Sequence, residues 1–266
     1  MNSSRLRALF VKELLEVSRN RSALLPVAIV TTATCVLPFV AAVIVPALTG
    51  DRLGEDGDFS RVSQMIGAPA DLGGDARIQL FLFQQFLMVF MLMPITGAMS
   101  FAAHSIIGEK QARTLEPLLA TPITTAELLI AKVLGGLVPT LAIAGAGLLI
   151  YFAGIGAFAE PGVLGAMVNA RTLVMVGFIG PSAALVSLQV ALVISSRVND
   201  PRTAQQFGVL IILPLTAVLV AQFTGRLWLT VPQLALIAIG LLIVWFFLTL
   251  FSVALFERES ILTRWK

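Results

Sequence analysis

Few of the 266 residues carry side chains able to do chemistry, and those few are unevenly placed. The chain has one histidine, His104, and one cysteine, Cys35. A metal site or proton relay needs partners at ligand spacing. His104 has only Glu109 about one turn away, and Cys35 lies at no recognisable spacing. Helix-end placement explains His104 better, and Cys35 is expected to be a packing residue. Nucleophilic catalysis needs a base beside the nucleophile, and no such arrangement, nor a pair of acids, can be located. Charge gathers instead in GEKQARTLEPLLATPITTAELLIAK, Gly108–Lys132, which holds Glu109, Lys110, Arg113, Glu116, Glu127 and Lys132. Inside that stretch Leu115, Leu118 and Leu119 form a short apolar face between Thr114 and Pro122.

The elements around this stretch follow from composition. The chain is 58% hydrophobic and 12% charged, with mean hydropathy +0.94. A soluble domain carries about 25% charge. Six stretches contain no Asp, Glu, Lys or Arg: 22–50, 78–108, 133–159, 172–196, 203–225 and 227–256. Each is long enough for one membrane-spanning helix of roughly 20 residues, and none for two. The apolar runs are continuous rather than alternating, which excludes a β-barrel. The expected fold is an all-α membrane protein, one transmembrane domain over 1–266, with spans near 23–48, 79–107, 128–156, 172–195, 204–224 and 231–256. An outer loop is expected at 49–78. The first apolar run is too long for a signal peptide and lacks a cleavage site. Before it, Leu6, Leu9, Phe10, Leu14 and Val17 recur at helical spacing against Arg5, Lys12, Glu13, Glu16 and Arg19. That pattern predicts an amphipathic helix over 1–21 lying at the membrane surface.

Six spans place both termini on one side. That side carries thirteen of the eighteen Lys and Arg residues, the other only Arg52, Arg61, Arg77, Arg171 and Arg226. By the positive-inside rule the richer side is cytoplasmic, so Gly108–Lys132 faces the cytosol of what is expected to be a prokaryotic inner membrane. Pro38, Pro94, Pro139, Pro181 and Pro214 fall within spans and are expected to kink them. Gln84, Gln85 and Gln189 are the best candidates for lining a path, although interhelical hydrogen bonding accounts for them as well. An ion-coupled carrier needs carboxylates or unwound backbone at the midplane, and a selective channel needs a carbonyl filter or a charge ring. None of these can be located.

Thr114 is a good N-cap for a short helix over 115–120, with Glu116 in its first turn and Pro122 ending it. A new helix starts at Thr124 or Thr125 and runs into the third span. The stretch from Glu109 through Arg113, Thr114, Leu115, Glu116, Leu118, Leu119, Thr121 and Pro122 to Glu127, Leu128 and Lys132 resembles the cytoplasmic loop of ABC-2 type transporter permeases. Lys12–Leu25 resembles the helix before that family's first span, and Ser195–Leu215 its fourth loop and fifth span. Many members carry glycine where this chain has Arg113. The resemblance implies a permease subunit of an ATP-driven exporter that is not itself an enzyme; the chain has no Gly-x-x-x-x-Gly-Lys-Ser/Thr motif. ATP and magnesium would be held by a separate cytosolic ABC ATPase, and this chain would bind no cofactor and no metal. It implies ATPase coupling through Glu109, Arg113, Thr114, Leu115, Glu116, Leu118, Leu119 and Pro122, with Glu109 and Glu116 as rim contacts. Contacts from Lys12, Glu13, Glu16 and Arg19 on the N-terminal helix would add to these. The other implied partners are a second permease subunit, identical or paralogous, and the lipid bilayer, with no nucleic acid. The alternatives are an ion-coupled secondary carrier and a membrane subunit of an ATP-driven assembly complex that translocates nothing.

Overall fold

The computed structural model describes residues 3–50, 69, 72–114, 124–198, 200–207, 209–224 and 227–255. Among them the regular structure is entirely helical. Helix α1 spans Ser3–Arg19 and turns at Asn20, whose side chain caps α2 by accepting from the Ala23 N–H at 3.1 Å. The first apolar helix, α2, covers Arg21–Thr49. Next come α3 (Gly74–Phe90), α4 (Leu92–Gln111), α5 (Thr125–Phe158) and the short α6 (Val163–Met167). Helix α7 covers Ala170–Arg197, followed by α8 (Pro201–Gln206), α9 (Val209–Phe223) and α10 (Val231–Leu255). Five stretches are long and apolar enough to cross a membrane: α2, α3 with α4, α5, α7 and α10. Among the described residues the remaining apolar helix, α9, is shorter, and residue 208, between it and α8, lies outside them. Helix α3 starts at Gly74, inside the stretch expected to be outer loop, with Asp75 in its first turn where the helix dipole favours an acid.

Three of the expected prolines coincide with breaks in regular α-helix, while Pro214, like Pro139, sits within an unbroken helix, α9. Helix α2 contains a π-helical turn, Val40–Ile44, just after Pro38, and α7 contains another, Met175–Ile179, just before Pro181. The α3–α4 break falls at Met91, three residues before Pro94. Pro139, by contrast, sits within the unbroken α5. Pro46 cannot donate to the Ala42 carbonyl four residues back. Gln79 of α3 satisfies that carbonyl instead, donating from Nε2 at 3.2 Å, while its Oε1 accepts from the Glu160 N–H at 2.8 Å.

The α3–α4 hairpin-free rod is the centre of the bundle. It is the most buried of the apolar stretches, and α4 packs on α2, α5, α7 and α8. Close approach there depends on small residues. A Cβ at Gly136 of α5 would come within 2.8 Å of Leu188 Cδ1 on α7. Near the other end, Tyr151 of α5 is fully buried among Phe39, Phe83, Phe90 and Phe152, and its hydroxyl donates to the Phe83 carbonyl at 2.7 Å. The outward faces of α2, α5 and α10 stay apolar and exposed, as at Leu25, Leu149, Leu236 and Phe247, which suits contact with lipid tails.

Side-chain contacts sort the helix ends into two groups. At one, the basic end, α1 meets the end of α4 and the start of α5, and the end of α4 meets the end of α7. At the opposite end, α3 meets the chain near Glu160, and the start of α7 meets α3 and the end of α9. At 1.5 Å per residue, α5 is about 50 Å long, well beyond a hydrocarbon core of about 30 Å. Its charged first turns therefore have room to stand clear of the lipid tails.

Candidate functional site: a buried ion network at the basic end

Three helices each bring one polar edge to a common point. On α4, Ser105 and Glu109 are four residues apart and so share a face. On α5, Lys132 and Gly135 do the same at a spacing of three. On α1, the buried positions are Leu9, Glu13 and Val17, again at helical spacing. Glu13 was expected on the solvent face of α1. It is instead only 2% exposed, and Leu14 is the residue turned outward. The reason is charge complementarity across the interface: the surface that α1 covers contains Lys132, which is itself 2% exposed. Gly135 sets the distance, since an added Cβ there would overlap the Cβ of Glu13.

Lys132 Nζ lies 3.1 Å from Glu13 Oε1 and 2.9 Å from Glu109 Oε2, and it donates to Ser105 Oγ at 2.8 Å. Ser105 passes a hydrogen bond on to Glu13 Oε2 at 2.6 Å. Lys12 closes the ring by bonding Glu109 Oε1, with Glu16 at 3.2 Å and Glu13 at 3.6 Å. Two buried carboxylates thus face two ammonium groups, and the inner set is neutral. Glu13, Glu16 and Glu109 bring their carboxylates within 4.8 Å of one another, but the two lysines already occupy the space among them. Burial alone would push the Glu13 carboxyl up; the charge of Lys132, the Ser105 hydrogen bond and Lys12 outweigh it and hold Glu13 below its ordinary value. Burial likewise pulls Lys12 down, yet the bond and charge of Glu109, helped by Glu13 and Glu16, leave its pKa raised.

The network anchors both sides of the polar stretch Gly108–Lys132. Helix α4 ends in a Schellman motif, in which the Thr114 N–H bonds the Glu109 carbonyl at 3.0 Å and the Arg113 N–H bonds the Lys110 carbonyl at 3.1 Å. Arg113 takes the left-handed conformation this motif requires, φ 55°. Glycine adopts that conformation without steric cost, so a glycine would suit this position. Helix α5 begins with a capping box: the Thr124 side chain accepts from the Glu127 N–H and Glu127 bonds back to the Thr124 N–H. Lys110, which the sequence reading counted only as a base, donates from Nζ to the carbonyls of Ser195, Ser196 and Val198 at 2.8, 2.8 and 3.1 Å. It thereby caps the end of α7, where cations are favoured and carbonyls lack helical partners. A cleft of about 910 Å³ opens beside the network, lined by Lys12, Glu16, Arg19, His104, Gly108 and Thr114 among others.

Other expected site residues fall as follows. Glu109, expected at an exposed rim, is 4% exposed and internal to the network. Arg113 and Thr114 are exposed at the end of α4. Leu115, Glu116, Leu118, Leu119 and Pro122 lie outside the described residues. His104 Nδ1 is 2.8 Å from the Ser100 carbonyl in its own helix, and Cys35 Sγ donates weakly to the Gly147 carbonyl at 3.6 Å. Gln189 joins two helices, donating to Ser252 Oγ at 2.6 Å. Gln85 is fully buried and neither of its amide atoms has a hydrogen-bond partner, while Gln84 accepts from Arg171 at the opposite end.

The family model for ABC-2 family transporter proteins matches residues 7–256. The chain belongs to that family. The match runs from within α1 to the end of α10, so the whole bundle, the ion network included, is the ABC-2 membrane unit, a permease subunit of an ABC transporter. Neither a curated protein nor a solved structure matches the chain.

Proposed function

We propose that this ABC-2 permease subunit works in an ATP-driven exporter, with its basic end in the cytosol and the segment between α4 and α5 docked in a separate ABC ATPase. A second permease subunit, identical or paralogous, completes the pathway, and substrate moves outward along the interface between the two. The observation that carries this reading is the shared anchoring of the docking segment. The helix entering it and the helix leaving it are both pinned, through Glu109 and Lys132, to the same buried network that holds α1. A push on the segment therefore moves α1, α4 and α5 together, and Lys110 carries it to α7. ATP and magnesium belong to the partner, and this chain supplies the mechanical linkage. Among the described residues the buried carboxylates, Glu13, Glu109 and Glu127, all sit at the basic end, where they serve pairing and capping rather than a midplane ion path.

Copurification tests the reading. Leu118→Asp with Leu119→Asp removes two apolar anchors, each worth on the order of 1.5–3 kcal/mol when buried in a groove. ATPase recovered per membrane-inserted permease should fall by a factor of roughly 10²–10⁴. Undiminished recovery with normal ATP turnover would mean that the segment is not the coupling element. In liposomes, uptake driven by a proton or sodium gradient without ATP would point to the secondary carrier instead.

A further inference from the structure

The opposite end of the bundle holds a second polar site, built around a cation that the ion network does not use. Arg171, the second residue of α7, stacks its guanidinium on the face of Trp228, with the central carbon 3.6 Å from the ring centroid. Its Nη1 donates to Gln84 Oε1 at 3.3 Å and its Nη2 to Gln222 Oε1 at 3.2 Å. Among the described residues no carboxylate pairs with it, and its Nε is buried without a hydrogen-bond partner. Gln222, 1% exposed, likewise has a buried amide nitrogen with no partner. The unmet groups around this guanidinium are thus donors. A pocket of about 440 Å³ opens over Arg171, walled by Trp228, Gln84, Asn169, Gly165 and Thr230. Asn169 caps the start of α7, so the positive end of a 28-residue helix faces the same region.

A part-buried guanidinium with no carboxylate partner among the described residues is costly, and here two glutamine carbonyls and an aromatic face only partly replace one. The pocket lies where α7 begins and α9 ends, beside Leu80 and Gln84 of α3, toward the end of the apolar bundle opposite the ion network. Tryptophan and arginine favour that depth because lipid headgroups begin there. We infer that this pocket binds a phosphate group through Arg171, with Trp228 as its wall, and that a phospholipid headgroup is its source. The chemistry matches: phosphate is an acceptor with negative charge, and a guanidinium offers it several donors in fixed geometry. The inference does not rest on ATP coupling, and its test does not involve the ATPase.

The test uses the full chain in nanodiscs of zwitterionic phosphatidylcholine, with Trp245→Phe and Trp265→Phe so that Trp228 is the sole tryptophan of the chain, excited at a wavelength where Tyr151 does not absorb. Phosphatidylglycerol is titrated in one arm and glycerol phosphate in another. A saturable change in Trp228 emission is expected in the lipid arm, with apparent affinity at least tenfold weaker in Arg171→Gln. Because that variant also frees Gln84 and Gln222, Gly165→Leu provides an independent check. Gly165 lines the pocket and a Cβ there meets nothing within 4 Å, so a leucine at this position adds bulk at the pocket wall with no clash at its first carbon. It should abolish the response while leaving the melting temperature unchanged. A saturable response to glycerol phosphate of equal affinity would support the phosphate site and assign it to a free solute. No saturable response in either arm, or a response that survives both variants, would overturn the proposal.

Discussion

Replacing Lys132 with methionine tests the ion network at its centre. Methionine matches the length of the lysine stem but removes the charge that Glu13 and Glu109 share, at 3.1 and 2.9 Å. Both carboxylates are almost fully buried, and only the more exposed Lys12 remains to face them. Breaking a buried pair by removing one partner costs about 3–5 kcal/mol, because the remaining charge keeps its desolvation penalty. The loss falls on the docking of α1, since the apolar packing of α4, α5 and α7 does not pass through this site. At about 1.4 kcal/mol per tenfold, the population with α1 detached should rise between about a hundredfold and a few thousandfold. Leu9, 7% exposed on the buried face of α1, reports this when replaced by cysteine in a Cys35→Ser background. Thiol labelling of Leu9→Cys should be slow, and faster by the same factor when Lys132→Met is added. Adding Glu13→Gln as well removes one acid with the base, leaves Lys12 between Glu109 and Glu16, and should restore most of the protection. Unchanged labelling in Lys132→Met, or penalties that simply add in the double variant, would refute the claim that these charges hold α1.

Three further outcomes are expected. Arg113 occupies a left-handed position, so Arg113→Gly should hold or raise thermal stability, whereas β-branched Arg113→Val should lower it by about 1 kcal/mol or more; equal melting of all three proteins would contradict the strain. Glu13 is held below its ordinary value, so its contribution is present above the usual carboxylate range and lost as pH falls through its folded pKa. Lys12 is raised, so its contribution is complete below the usual lysine range and lost only as pH climbs beyond it. The melting difference between the parent and Glu13→Gln should therefore stay constant from neutral to mildly alkaline pH and shrink in acid; a difference that shrinks between pH 7 and 9 would contradict these shifts. For orientation, cysteines at Thr230 and Asp56 should react with an impermeant thiol reagent in intact cells and one at Gln111 should not, and the reverse pattern would place the basic end outside.

The sequence by itself carried the helical class and the placement of the long apolar helices, because absence of charge over about 20 residues has one cheap solution in a bilayer. It also carried the local signals. The helix start expected at Thr124 or Thr125 is there, capped by Thr124, and the prolines lie beside the π-turns of α2 and α7. Only the tertiary structure decided which face of α1 is buried. Periodicity assigns apolar residues inward and charges outward, but Glu13 goes inward because Lys132, 119 residues away, waits there. The same holds for Lys110 on the α7 carbonyls, 85 residues distant, and for Arg171 among Gln84, Gln222 and Trp228. Each is a charge whose partner lies on another helix. A charge drawn into the bundle needs acceptors or an opposite charge from other helices, fully supplied for Glu13 and only in part for Arg171, and helix packing, not spacing along the chain, brings them together.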